Sequence, residues 1–171
     1  MKTFILGLIV GLILAPIILF LYFTSGLAPV STNDKPMPLE EMLAKKALHA
    51  RIDSEMPKSV PVSADESNLK SGAQIYWDNC AFCHGLSGEA PSVVAKGMFP
   101  KPPQLFDGKG VTDDPPGETY WKVKNGIRLT GMPAFGRELS DAQIWQVTLL
   151  VANADKLPAS VSSLLTGPST K

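Results

Sequence analysis

The sequence predicts an all-α protein: one N-terminal membrane helix, then a small domain of three or four helices joined by long loops. Three observations carry this. Phe4 to Phe23 contains no charged residue. Two later stretches show helical spacing between recognisable caps. Strand-like alternation and internal repeats are missing throughout. The chain has 171 residues and zero formal net charge. Its length fits one compact domain with an appendage. The charge balance argues against a nucleic-acid partner and against strong electrostatic steering.

The apolar start, "FILGLIVGLILAPIILFLYF", makes a helix of about 30 Å, the thickness of a bilayer's hydrocarbon core. Lys2 precedes it, so the positive-inside rule keeps the short tail cytoplasmic and sends the remainder across. Pro16 interrupts the span, which membrane helices tolerate. Gly7 and Gly11 have GxxxG spacing, which also arises by chance in apolar helices. A cleaved signal peptide is the competing reading, but such apolar regions run to roughly 7–15 residues. The one plausible cleavage point, after Ala28, is followed by Pro29, which lacks an N–H and is rigid. The reading favoured is a retained anchor over 1–23. Both place the rest outside the cytoplasm, in an oxidising compartment.

Residues 24–64 read as a linker with a helix at 39–56, "LEEMLAKKALHARIDSEM". Its Glu40 and Glu41 suit the dipole of a first turn. Its apolar residues form no stripe, so membrane, domain and partner all remain open as its contact. The packed domain spans 65–157, and 158–171 is a weakly specified tail. Within the domain, Ser67–Asn79 is a helix, with Gly72 allowing a close crossing. Regular patterning is missing from Gly85 to Gly117, and a loop that long suggests wrapping around something other than protein. Glu118–Asn125 is a helix ended by Gly126. Ser140 and Gln143 form a capping box for the last helix.

"CAFCH" holds both cysteines and one of two histidines. Zinc usually needs four protein ligands, and His49, on the linker helix, is the only other histidine. A redox dithiol wants a strand before its first cysteine, and none precedes Cys80. A disulfide here would close a very short loop and stabilise little. The remaining reading uses every residue. C-x-x-C-H is the haem c attachment signature, with thioethers from Cys80 and Cys83 and His84 as axial iron ligand.

An electron carrier fills both axial positions. The candidates are Met132, Met98 and His49. Met132 lies in "RLTGMPAFG", between a glycine that permits close approach and a proline that stiffens the loop. Met98 suits apolar packing and His49 an exposed helix face. Asp113 and Asp114 read as a solvated turn.

The stretches "SGAQIYWDNCAFCHGLSGE", "GMFPKPPQL", "ETYWKVKNGIRLTGMPAFG" and "LSDAQIWQVTLLV" resemble the class I cytochrome c family, and most of all its membrane-anchored bacterial monohaem members. That resemblance implies three to four helices and long loops around one covalent haem. It also implies His84/Met132 ligation and a crossing of first and last helices near Gly72, Tyr76 and Trp145. It further implies a proline carbonyl, of Pro100 or Pro102, accepting from the His84 ring. Trp121 and Arg128 are candidates for the haem propionates, and Pro103, Leu105 and Phe106 for porphyrin packing.

The expected function is one-electron transfer between respiratory or periplasmic redox proteins. The chain is expected not to be an enzyme, and to sit as a single pass in the inner membrane with the haem domain periplasmic. Two alternatives stand: a haem subunit built into a larger membrane oxidoreductase, and a gas-sensing or catalytic haem with an open axial site.

Overall fold

The computed structural model describes residues 1–166. Among these, the helices are α1 (Lys2–Thr24), α2 (Glu40–Glu55), α3 (Glu66–Asn79), α4 (Ala81–His84), α5 (Val93–Gly97), α6 (Pro116–Asn125), α7 (Asp141–Ala152) and α8 (Ala159–Ser162), with a 3₁₀ turn at Ala154–Lys156. The all-α expectation holds with one apolar N-terminal helix. The expected three or four domain helices are too few. The additional ones, α4, α5 and α8, are single turns of four or five residues, too short to form without tertiary packing.

The described chain divides into two units, Met1–Lys45 and Lys46 onward. In the first, α1 is long and apolar enough to cross a membrane once, with Pro16 inside it. Thr24 Oγ1 donates to the Phe20 carbonyl at 2.9 Å, supplying a donor to the helix end. Met37 N–H donates to the Glu40 carboxylate (2.8 Å) where α2 begins.

The second unit is built on α3 and α7, its most extensively packed helix pair. Asp65 caps α3 by accepting from Asn68 N–H at 2.9 Å. Ser140 and Gln143 form the expected capping box on α7. The two helices meet at Gly72, where a Cβ would overlap the Gln146 carbonyl and stand 3.2 Å from Leu150 Cβ. Gln146 Nε2 donates to Asn68 Oδ1 beside that crossing (2.9 Å). Tyr76, Ile144 and Leu150 are fully buried in this core. Helix α6 closes the layer, with Tyr120 stacked on Trp145 at 4.3 Å between ring centroids.

Two segments outside the predicted packed domain of 65–157 also bury side chains. Ile52, on the second half of α2, is 0% exposed, and burying such a side chain is worth roughly 1.5–3 kcal/mol. Val161 and Leu165, in the segment read as a tail, are buried in the same core as α3 and α7. The remainder of that tail, 167–171, lies outside the described residues.

Candidate haem-attachment site

Helix α3 ends at Asn79, and the chain turns at once into α4, which carries the motif. Cys80 N–H donates to the Tyr76 carbonyl (2.8 Å), and Cys83 and His84 N–H donate back to the Cys80 carbonyl at 3.1 and 2.9 Å. One turn of helix thus holds both thiols and the imidazole in a fixed order. Gly85 ends it with φ 73° and ψ 175°, a region open in practice only to glycine. The Gly85 carbonyl accepts from buried Tyr76 Oη at 2.7 Å, tying the end of the motif back to α3.

His84 is oriented by its Nδ1, 2.8 Å from the Pro103 carbonyl. With Nδ1–H donating there, Nε2 carries the free lone pair that a metal takes. Burial holds His84 below its ordinary pKa, against the opposing effect of that hydrogen bond, so the neutral ligand form is favoured. The acceptor differs from expectation: it is Pro103, not Pro100 or Pro102. Pro100 is exposed and Pro102 half-buried.

Both cysteines are free thiols. Burial pushes Cys80 up to about 12, with nearby Cys83 adding to the effect. A reactive dithiol needs the opposite shift.

Met132 is half-buried against the core, as are Leu105 and Phe106. Its loop leaves α6 at Gly126, where φ is 67° and ψ −177°, again glycine-only backbone. A Cβ there would stand 2.9 Å from Met132 O, 2.8 Å from Pro133 C and 2.7 Å from Ala134 N. Ile127 N–H donates to Met132 O at 3.2 Å, closing the loop. Phe135 and Gly136 N–H return to the Val123 and Lys124 carbonyls, each at 3.0 Å. Thr130 Oγ1 accepts from Met132 N–H at 3.1 Å and donates to Ile127 O at 2.7 Å. Leu129 takes a positive φ of 61° and is 92% exposed, so the loop turns an apolar side chain outward.

The other candidates fall as follows. Trp121 Nε1–H donates to Glu55 at 3.0 Å, so the structure engages its donor with α2. Arg128 and His49 are exposed. Met98 is half-buried and packs against Gly131. Phe106 stands edge-on to Tyr76 at 4.9 Å. Asp113 pairs with Lys109 on the surface.

Sequence reasoning missed Gln104. Its side-chain oxygen lies over Gly85, and its Nε2 is buried with no protein partner. A buried amide without a partner signals an unfilled acceptor position, and this one borders the motif. Two thiols on one helical turn, a neutral imidazole with Nε2 free, a half-buried thioether and this orphaned donor fit a haem c group.

A chain with an all-α domain carrying a C-x-x-C-H turn and, among the described residues, one helix long and apolar enough to cross a membrane is a cytochrome-type electron-transport protein of the membrane. Residues 67–150 match the family model for cytochrome c oxidase, cbb3-type, subunit III. The cbb3-type cytochrome c oxidase subunit CcoP of Azospirillum brasilense is 31% identical over 91 residues. That similarity spans 53% of this chain but 30% of the relative's length. Among solved structures, the reducing HAO-like protein complex of Kuenenia stuttgartiensis is similar with a TM-score of 0.50 and 25% identity. It covers 71% of this chain and 52% of that one.

These findings correct the family resemblance. The segment that suggested a free-standing class I monohaem cytochrome is the one matched to an oxidase subunit model. They also agree with an electron-transfer role without catalysis of its own. The chain is a single-pass inner-membrane protein with its α3–α8 domain on the periplasmic side.

Proposed function

We propose that this chain is a haem-bearing subunit held within a larger membrane oxidoreductase, passing single electrons between periplasmic redox partners and that assembly. The observation that carries this is the coincidence of two findings: the segment matched to an oxidase subunit, 67–150, contains the complete C-x-x-C-H turn. Cys80 and Cys83 would hold one haem c through thioethers, with His84 and Met132 as axial ligands. The haem, when bound, supplies reversible one-electron chemistry at iron. The protein fixes the His84 ring through Pro103, holds Met132 in a loop closed on α6, and packs Met132 against its apolar core. The helix α1 confines the domain near membrane partners and raises their effective concentration.

The test is purification of the full chain from its native membrane in mild detergent. Copurification with a fixed stoichiometry of other subunits, and haem retained on this chain under denaturing conditions, are the expected results. A haem-loaded chain that elutes alone, with full exchange between membrane partners, would sink the subunit reading and leave a free carrier. Loss of covalent haem only in variants lacking Cys80 and Cys83 assigns the attachment.

A further inference from the structure

Helix α5 lies between the two halves of the candidate site. Ser92, the residue before its first, caps it by accepting from Ala95 N–H at 3.1 Å. The same Ser92 hydroxyl donates to the Phe82 carbonyl at 2.8 Å. Phe82 stands between the two cysteines, so α5 is fastened to the motif turn. At its other end α5 delivers Met98, whose N–H closes the last turn on Ala95 O at 3.4 Å. The Met98 side chain then lies on the backbone of Gly131, the residue before Met132. A Cβ added at Gly131 would stand 2.8 Å from Met98 Cε and 3.1 Å from its Sδ.

We propose that Met98 is a positioning residue: a packed latch that links the Cys–His turn, through Ser92 and α5, to the loop that presents Met132. This rests on the His84/Met132 reading and adds a part to it. On its α6 side the loop is held by backbone bonds from Ile127, Phe135 and Gly136. Toward the motif, Met98 supplies side-chain contact. Methionine suits the place because a long flexible thioether fills an irregular gap beside a bare glycine backbone. Gly131 is needed for the same contact, because a side chain there would displace the end of Met98. Removing the latch frees the loop to swing, and Met132 then leaves its position for a larger fraction of the time.

The experiment uses haem-loaded full-length protein in detergent. It follows the weak red absorbance band of ferric thioether ligation and the rate of carbon monoxide binding to the reduced protein. Wild type should show the band and bind slowly, and Met132→Leu should lose the band. If wild type lacks it, the axial reading fails, and the latch with it. With the band present, Met98→Ala should weaken it and speed carbon monoxide binding at least about tenfold, as the open fraction rises in proportion. Met98→Leu, which keeps the bulk, should behave like wild type. Gly131→Ala should speed binding in the wild-type background but have little further effect beside Met98→Ala. That coupling tests the contact even if one variant folds poorly. A Met98→Ala protein with lower melting temperature but unchanged band and binding rate would overturn the proposal while leaving the axial reading intact. So would Met98→Leu failing as badly as Met98→Ala.

Discussion

Replacing Gly126 with alanine tests how the Met132 loop is built. Its φ of 67° and ψ of −177° lie where any side chain costs of order 1–3 kcal/mol. The new Cβ would also stand 2.7–2.9 Å from three backbone atoms of residues 132–134. These atoms belong to the segment that returns to α6 and cannot rotate away as a side-chain tip can. Overpacking of this kind adds roughly 1–3 kcal/mol. The sum is about 2–6 kcal/mol. At roughly 4 °C per kcal/mol for a domain of this size, the melting temperature should fall by about 8 °C or more. The assay is thermal unfolding of the full chain in detergent, followed by far-ultraviolet circular dichroism. Gly97→Ala is the control: a Cβ there meets open space and needs no positive φ. It should stay within about 0.5 kcal/mol of wild type. If Gly126→Ala melts with wild type, the backbone argument for the loop is wrong.

Other outcomes follow from the same structure. Ile52→Ala should cost about 2–5 kcal/mol because the side chain is fully buried, whereas Leu43→Ala on the exposed half of α2 should be close to neutral by the same melt. Ser140→Ala removes the bond that its hydroxyl accepts from Gln143 N–H, while its own backbone N–H can still donate to the Gln143 side chain, and should cost about 1 kcal/mol in denaturant titration. Asp141 is held below its ordinary value of 3.8 by the Lys124 ammonium and then by Tyr120 Oη. Its stabilisation is therefore present above that value and lost as pH falls through the lower folded one. A gap in melting temperature between wild type and Asp141→Asn at neutral pH should close below about pH 4, and a gap that widens in acid would contradict the pairing.

The parts legible in the sequence were those written in local chemistry. Ser140 and Gln143 cap a helix through their own side chains, and Gly72 marks a crossing because only a bare backbone fits there. The C-x-x-C-H spacing carries its own geometry. What escaped was decided by tertiary contact. Single-turn helices α5 and α8 have no pattern of their own to display. The apolar residues of α2 form no stripe because Ile52 alone among them is buried. The Pro103 acceptor is a backbone carbonyl, a group that every residue carries, so composition could not choose it from "PKPP". An indole N–H needs a partner, which makes Trp121 a candidate propionate donor, but nothing local to Trp121 points to Glu55, sixty-six residues upstream. The family resemblance was drawn from short motifs, and these occur as well in subunits of larger assemblies.

The burial of Cys80 bears on the order in which this protein is made. Thiolate, not thiol, is the reactive form of cysteine, and a group whose pKa is pushed up to about 12 is almost wholly protonated at neutral pH. A finished domain therefore presents its first motif cysteine in its least reactive form, under Tyr76 and the start of α4. In a chain still open at that turn, the same thiol would react near its ordinary value. If Cys80 takes a haem thioether, as proposed, maturation sets that sulfur chemistry against folding. A mutation that merely speeds the closing of α3 onto α7 could lower the yield of loaded protein while making the empty one more stable.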